Sequence, residues 1–115
     1  MNALIVDDEN DIGLIVSRIL TKRGLTVKYL DRITKAREDI SENNYDLFLL
    51  DLNLPDGTGF DLIPLIRKTN DEAKILIISA YDGITEMRKA KEMNISAFIK
   101  KPFSKNDILN ALSNL

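Results

Sequence analysis

The sequence predicts an α/β domain built on a doubly wound parallel sheet, and three observations carry that prediction. Five short apolar runs recur along the chain, each bounded by charged, Gly or Asn residues. Stretches with a helical period separate them, so that strand and helix alternate. Three of the runs are apolar almost throughout instead of alternating, the pattern of strands covered by helices on both faces.

The first strand is expected over Ala3 to Val6. In Asp11 to Leu20, a wheel at 100° per residue places Ile12, Ile15, Val16, Ile19 and Leu20 on one arc of about 140°, with Leu14, Ser17 and Arg18 opposite. Gly24, after Arg23, is suited to end this helix with positive φ. The second strand, Thr26 to Leu30, is rich in β-branched residues and precedes a helix near Ile33 to Ile40. Leu47 to Leu50 is the third strand, and the next helix runs from about Gly59 to Lys68. Pro64 lies several residues into that helix, where it should remove a backbone bond or delay the regular start. The fourth strand, Ile75 to Ile78, leads to a helix from Ile84 to Met93, which Asn94 is suited to end in the left-handed conformation. Ala97 to Ile99 and a helix from Lys105 to Leu112 complete five βα units. No sequence repeat, low-complexity tract or linker divides them, so one domain over 1–115 is expected.

With 115 residues, 44% of them apolar and 30% charged, the chain has the composition of a globular domain with one core. There is no Cys, which excludes disulfides and thiol chemistry, and no His, which removes the usual general base near neutral pH and the commonest zinc ligand. Any chemistry must use carboxylates, hydroxyls, Lys or backbone. The 16 basic and 18 acidic residues are interspersed, with a net charge of -2, so no direct contact with nucleic acid is expected. Met1 leads straight into the first apolar run, without a basic leader or a spanning segment. The expectation is a cytoplasmic setting and no membrane partner.

In a doubly wound sheet, ligands bind beyond the carboxyl ends of the strands. Those ends carry Asp7 and Asp8, Asp51, Ser79, and Lys100 and Lys101. Each has a plainer reading when taken singly. A strand-end Asp is often a turn former or a helix cap, as Asp8 or Asn10 would be for the first helix, Ser79 suits a turn, and either Lys suits a solvated end. Jointly they are different. Three neighbouring carboxylates repel unless a cation lies among them, and a hard divalent ion such as Mg2+ suits a site of carboxylates, water and phosphate oxygens. Such an ion would neutralise phosphoryl oxygens while an Asp attacks phosphorus, with Lys101 and the Ser79 hydroxyl as further contacts.

The segments LIVDDE at Leu4 to Glu9, LLDLNLPDGTG at Leu49 to Gly59, IISA at Ile77 to Ala80 and FIKKPF at Phe98 to Phe103 together resemble the receiver domain of two-component response regulators. The likeness spans essentially the whole chain. It implies a flavodoxin-like sheet with strand order 2-1-3-4-5 and helices on both faces. It further implies Asp51 as phosphoacceptor, loaded by a histidine kinase or histidine phosphotransfer protein. Mg2+, which Mn2+ can replace, would be held by Asp8 directly, by Asp7 often through water, by Asp51 and by the backbone carbonyl of Asn53. Lys101 would contact the phosphoryl group, and Pro102 would follow a cis peptide. Ser79 and Phe98 would form the switch, whereas Phe103 is expected to be core. Ser79 where Thr is frequent, Tyr81 beside the site, Pro64, and Asn94 to Ser96 before strand five depart from the commoner pattern without removing a catalytic group.

Leu14, with Ser17 and Arg18, resembles the face that docks on the donor. An output surface is implied on helix four, strand five and helix five, including Lys91, Lys100 and Lys105, where an unidentified output partner or domain, or a phosphorylation-linked homodimer, would form. Such a domain catalyses its own phosphorylation and dephosphorylation without turning over an external substrate. Two other readings stay open: a flavodoxin-like binding module without phosphotransfer, and a small Mg2+-dependent phosphatase with an Asp nucleophile. A receiver that binds constitutively is a further variant, and the sequence is compatible with either a stand-alone domain or the first module of a longer regulator.

Overall fold

Three strands of this chain are apolar almost throughout because helices cover both faces of the sheet. The computed structural model describes residues 1–80 and 83–115; Tyr81 therefore lies outside the described residues. Strands β1 (Asn2–Val6), β2 (Thr26–Leu30), β3 (Leu47–Leu50), β4 (Lys74–Ser79) and β5 (Ala97–Lys100) alternate with helices α1 (Asn10–Lys22), α2 (Ile33–Glu42), α3 (Ile63–Thr69), α4 (Ile84–Glu92) and α5 (Lys105–Ser113). All pairings are parallel, and the sheet order is β2-β1-β3-β4-β5. Successive side chains of a strand point to opposite faces. Leu4, Val6, Phe48, Leu50, Ile75 and Ile77 thus pack with α2, α3 and α4 through Ile40, Ile66 and Ala90. Ala3, Ile5, Leu47, Leu49, Leu76 and Ile78 pack with α1 and α5 through Val16, Leu20 and Ile108.

The helix boundaries follow local chemistry. Arg23 closes α1, and Gly24 follows at φ 88°. Asn94 takes φ 58° after α4. Pro64 does delay the third helix: Gly59–Leu62 is a 3-10 turn, and regular α-helix starts at Ile63, which puts the proline in the first turn, where its missing N–H costs nothing. Thr58 with Asp61, and Ser104 with Asp107, form reciprocal capping boxes that start the 3-10 turn and α5. Neither Asp8 nor Asn10 caps α1; Glu9 holds the cap position without a side-chain bond. Arg32 before α2 supplies no side-chain cap either. That cap comes from across the molecule, where the Asp56 carboxylate accepts the amides of Ile33 at 2.8 Å and Thr34 at 3.0 Å. Away from the carboxyl edge, the Arg67 guanidinium joins two loops by donating to the carbonyls of Ala73 at 2.6 Å and Asn94 at 3.2 Å.

One expectation is corrected. Ile15 lies on the apolar arc of the helical wheel, yet it is 48% exposed, while Gly13 is buried. The cause is Tyr29 of β2. Its ring lies where a Cβ on residue 13 would sit, so α1 approaches the sheet through its glycine and the buried face turns away from Ile15. Gly to Ala inside a helix ordinarily gains about 1 kcal/mol. Gly13→Ala is expected instead to lose about 1–3 kcal/mol by overpacking. In a Tyr29→Ala background the same change should become neutral or stabilising. Urea unfolding of the four proteins as a double-mutant cycle checks this, and equal effects in both backgrounds would refute the packing account.

Candidate functional site

Register brings the acidic residues together. Val6 pairs with Leu50, so Asp7 and Asp51, each one residue further, emerge side by side at the carboxyl edge. The ladder continues through both, with the Asp51 amide on the Val6 carbonyl at 2.8 Å and the Asp7 amide on the Leu30 carbonyl at 3.1 Å. Ser79 pairs with Lys100, and the Ser79 carbonyl accepts the Lys101 amide at 2.9 Å, which carries Lys101 to the same edge. The Lys101–Pro102 peptide is cis.

The Lys101 ammonium then lies 2.9 Å from Asp7 Oδ2, 3.0 Å from Glu9 Oε1 and 3.2 Å from Asp51 Oδ2. Burial alone would lower its pKa, but the bonds to Asp7 and Glu9 and the charge of Asp51 outweigh that and hold it above the usual lysine range. Burial also raises the Asp51 carboxyl, to about 6, with the Asp7 charge adding and Lys101 and the Asn53 amide opposing. Asp7 is raised for the same first reason, opposed by its bond to Lys101. One cation cannot satisfy this cluster. Carboxylate oxygens of Asp7, Asp8, Glu9 and Asp51 all lie within 4.8 Å of one another, an all-oxygen donor set of the kind Mg2+ takes. The residues fit that ion.

The other expected residues fall as follows. Asp8 is exposed, whereas Asp7 is buried and committed to Lys101. The Asn53 amide donates to Asp51 Oδ1 at 3.3 Å. Ser79 is fully buried at the end of β4. Phe98, opposite Ile77 on β5, is half-buried against the core that holds α2 to α4. Leu14, 55% exposed, shares a shallow surface groove with Ser17 and Arg18 on α1; it is near the acidic residues of the first turn in sequence but not part of their cluster. Phe103 packs partly buried against the α1 and α5 core.

Three contributors escaped sequence reasoning. Glu9 adds a carboxylate to Lys101; its place directly after Asp7 and Asp8 was the available signal. Gly59 starts the 3-10 turn against the site, where a Cβ would collide with the Asp51 carbonyl oxygen. Tyr29 donates its hydroxyl to the Asp7 carbonyl at 2.5 Å, with Asn10 Oδ1 a second, longer contact at 3.1 Å. Burial, with the charges of Asp7, Asp31 and Asp8, pushes that phenol up to about 12, so it remains a donor at neutral pH. Nothing local in the sequence pairs Tyr29 with Gly13.

A half-buried, lysine-bridged acidic cluster at the carboxyl edge of a 2-1-3-4-5 sheet is a site of the doubly wound α/β class. The family model described as the response regulator receiver domain matches residues 3–113. Transcriptional regulatory protein CusR of Escherichia coli (strain K12) is 31% identical over 109 residues, which cover 95% of this chain and 48% of CusR. The non-phosphorylated HemR receiver domain from Leptospira biflexa superposes with a TM-score of 0.89 at 32% identity, covering 97% of this chain and 90% of that one. A response regulator protein from Burkholderia pseudomallei, solved with a phosphorylated aspartic acid, calcium ion and citrate, gives a TM-score of 0.87 at 25% identity, over 96% of this chain and 65% of that one. The chain belongs to the response regulator receiver domain family. It is homologous to two-component response regulators and spans about half the length of the curated relatives it matches. Receiver domains bind Mg2+ at an acidic pocket and work with histidine kinases and output domains. Among the described residues no helix is long and apolar enough to cross a membrane.

The raised Asp51 pKa has a sign that can be tested. Folding favours its protonated form, so that contribution is complete below the ordinary value of 3.8 and is lost as pH rises through about 6. Above that pH the carboxylate opposes the fold. Asp51→Asn, neutral and of the same shape, should therefore be more stable than the parent at pH 7.5 in EDTA by about 1–2 kcal/mol, allowing for partial solvation. The gain should disappear near pH 4, as denaturant unfolding at both pH values will measure.

Proposed function

We propose that residues 1–115 form the phosphoacceptor switch of a two-component or phosphorelay pathway, with Asp51 as the residue that takes the phosphoryl group. The observation that carries this reading is the Lys101 ammonium, held 3.2 Å from Asp51 Oδ2 inside a cluster of carboxylates. The donor is a phosphohistidine on a histidine kinase or phosphotransfer protein. An Asp51 oxygen attacks phosphorus, the bond from phosphorus to the imidazole nitrogen breaks, and its electron pair stays on that nitrogen, leaving an acyl phosphate on Asp51. With a pKa of about 6 the Asp51 carboxyl is ionised at neutral pH and more basic than an ordinary Asp.

Asp8, Asp7, Asp51 and the Asn53 carbonyl are the proposed Mg2+ ligands, with Mn2+ as a substitute. When bound, the ion supplies charge neutralisation to the phosphoryl oxygens. Lys101 contributes a second positive contact and the Ser79 hydroxyl a hydrogen bond. Movement of Ser79 towards the phosphoryl group, followed by a change in Phe98, would carry the signal to α4, β5 and α5, biasing an equilibrium between two states. An output partner or domain, or a second copy in a phosphorylation-linked homodimer, reads that surface. The reading includes a cytoplasmic setting and no direct contact of this domain with nucleic acid.

Incubation with an acyl phosphate or phosphoramidate and Mg2+ should add the mass of one phosphoryl group to the parent, and none to Asp51→Ala or to the parent in EDTA. Intact mass spectrometry decides it; an unlabelled parent, under conditions that modify another receiver, removes the mechanism. Leu14→Glu should slow transfer from a cognate phosphohistidine donor at least several-fold, while labelling by the small donor stays at the parent rate. Equal transfer rates would reject the α1 docking face.

A further inference from the structure

We infer that Tyr29 is a positioning residue for the Mg2+ end of the site, its hydroxyl holding the turn that presents Asp8. The inference rests on the metal-dependent reading above and adds a residue to it.

The turn between β1 and α1 carries one local bond, the Glu9 amide donating to Asp7 Oδ1 at 2.9 Å, and the Glu9 carboxylate is held from outside by Lys101 at 3.0 Å. Glu9, at the cap position of α1, makes no capping bond, and Asp8 is exposed, so the place of its carboxylate is set by the backbone on either side. One phenol reaches both of those sides. The Tyr29 hydroxyl lies 2.5 Å from the Asp7 carbonyl and 3.1 Å from Asn10 Oδ1, which brackets Asp8 and Glu9 between two tethered residues. The neighbouring β2 residue completes the clamp, because the Leu30 carbonyl accepts the Asp7 amide at 3.1 Å. Consecutive residues of one edge strand thus secure both backbone polar groups of Asp7.

The ring is seated as well as bonded. It occupies the space above Gly13 that any larger residue would fill, one turn into the helix that follows the acidic pair. The hydroxyl acts on the turn and the seat on the first turns of the helix that follows it, so the direction of Asp8 depends in part on a side chain from the edge of the sheet. Fixing metal ligands through partners that do not touch the metal is a general means of tuning affinity.

Tyr29→Phe keeps the ring on Gly13 and removes only the hydroxyl. Titration calorimetry with MgCl2 should show a measurable rise in Kd, up to about five-fold, the limit set by one hydrogen bond of ordinary strength. In EDTA, the 1H–15N amide signals of Asp8 and Glu9 should shift or broaden while those of the core strands stay in place. Labelling by an acyl phosphate should be slowed at low Mg2+ and return to the parent rate at saturating Mg2+. Parent-like Mg2+ affinity in Tyr29→Phe overturns the inference and leaves the proposed function standing. A labelling rate that stays depressed at saturating Mg2+ also overturns it, since that marks general loosening of the site. A parent that binds no Mg2+ removes the proposed function and this inference together.

Discussion

Lys101 arrives at the end of β5 and finds Asp7, Glu9 and Asp51 within 3.2 Å. Its partners come from β1, the turn after it, and β3, and the contact with Glu9 joins residues 92 apart in the chain. Bringing the carboxylates this close without a counter-charge would be costly, because each is partly or wholly removed from water. The lysine makes the arrangement tolerable and leaves it incomplete, since several carboxylates still share a single ammonium. That imbalance is the chemical property the site offers: an excess of carboxylate oxygens around one ammonium, the kind of donor set a divalent cation takes.

The fold was legible because the physics behind it is local and repetitive. Runs such as Leu47 to Leu50 and Ile75 to Ile78 are buried on both faces, and parallel strands with helices on either side are the arrangement that does this. Pro64, Gly24 and Asn94 marked helix ends through backbone restrictions that depend only on the residue itself. The same economy exposed Asp7, Asp51 and Lys101, which fall just past apolar runs. What could not be read was set by pairs distant in sequence. Ile15 sits on the apolar arc of the wheel and is nonetheless exposed, because the packing angle of α1 depends on Tyr29 resting against Gly13. Glu9 follows the acidic pair directly, but its use depends on where the Lys101 stem ends.

The buried polar groups away from the site show the same division of labour. Asp39 of α2 is buried, and Lys28 and the Tyr45 hydroxyl both bond to its carboxylate. Burial would raise its pKa, yet these partners hold it below the ordinary carboxylate value. Among the described residues no buried side-chain nitrogen or oxygen lacks a partner. Asp39 has its charge answered and Asp51 has its charge only partly answered. The contrast separates a carboxylate that ties β2 and the loop before β3 to a helix from one whose neighbours leave it short of positive charge.

Asp56 gives the architecture an order in time. The first amides of α2 are satisfied by a carboxylate 22 and 23 residues further on, in the loop that follows β3. As the chain leaves the ribosome, α2 emerges before its own cap exists. The two Asp56 bonds to its first turn can form only once the central strand has been made and the loop beyond it has turned back. Capping of that helix by Asp56 therefore requires the segment between them, Asp51 included, to have been synthesised, which ties one flank of the domain to the loop beyond its central strand.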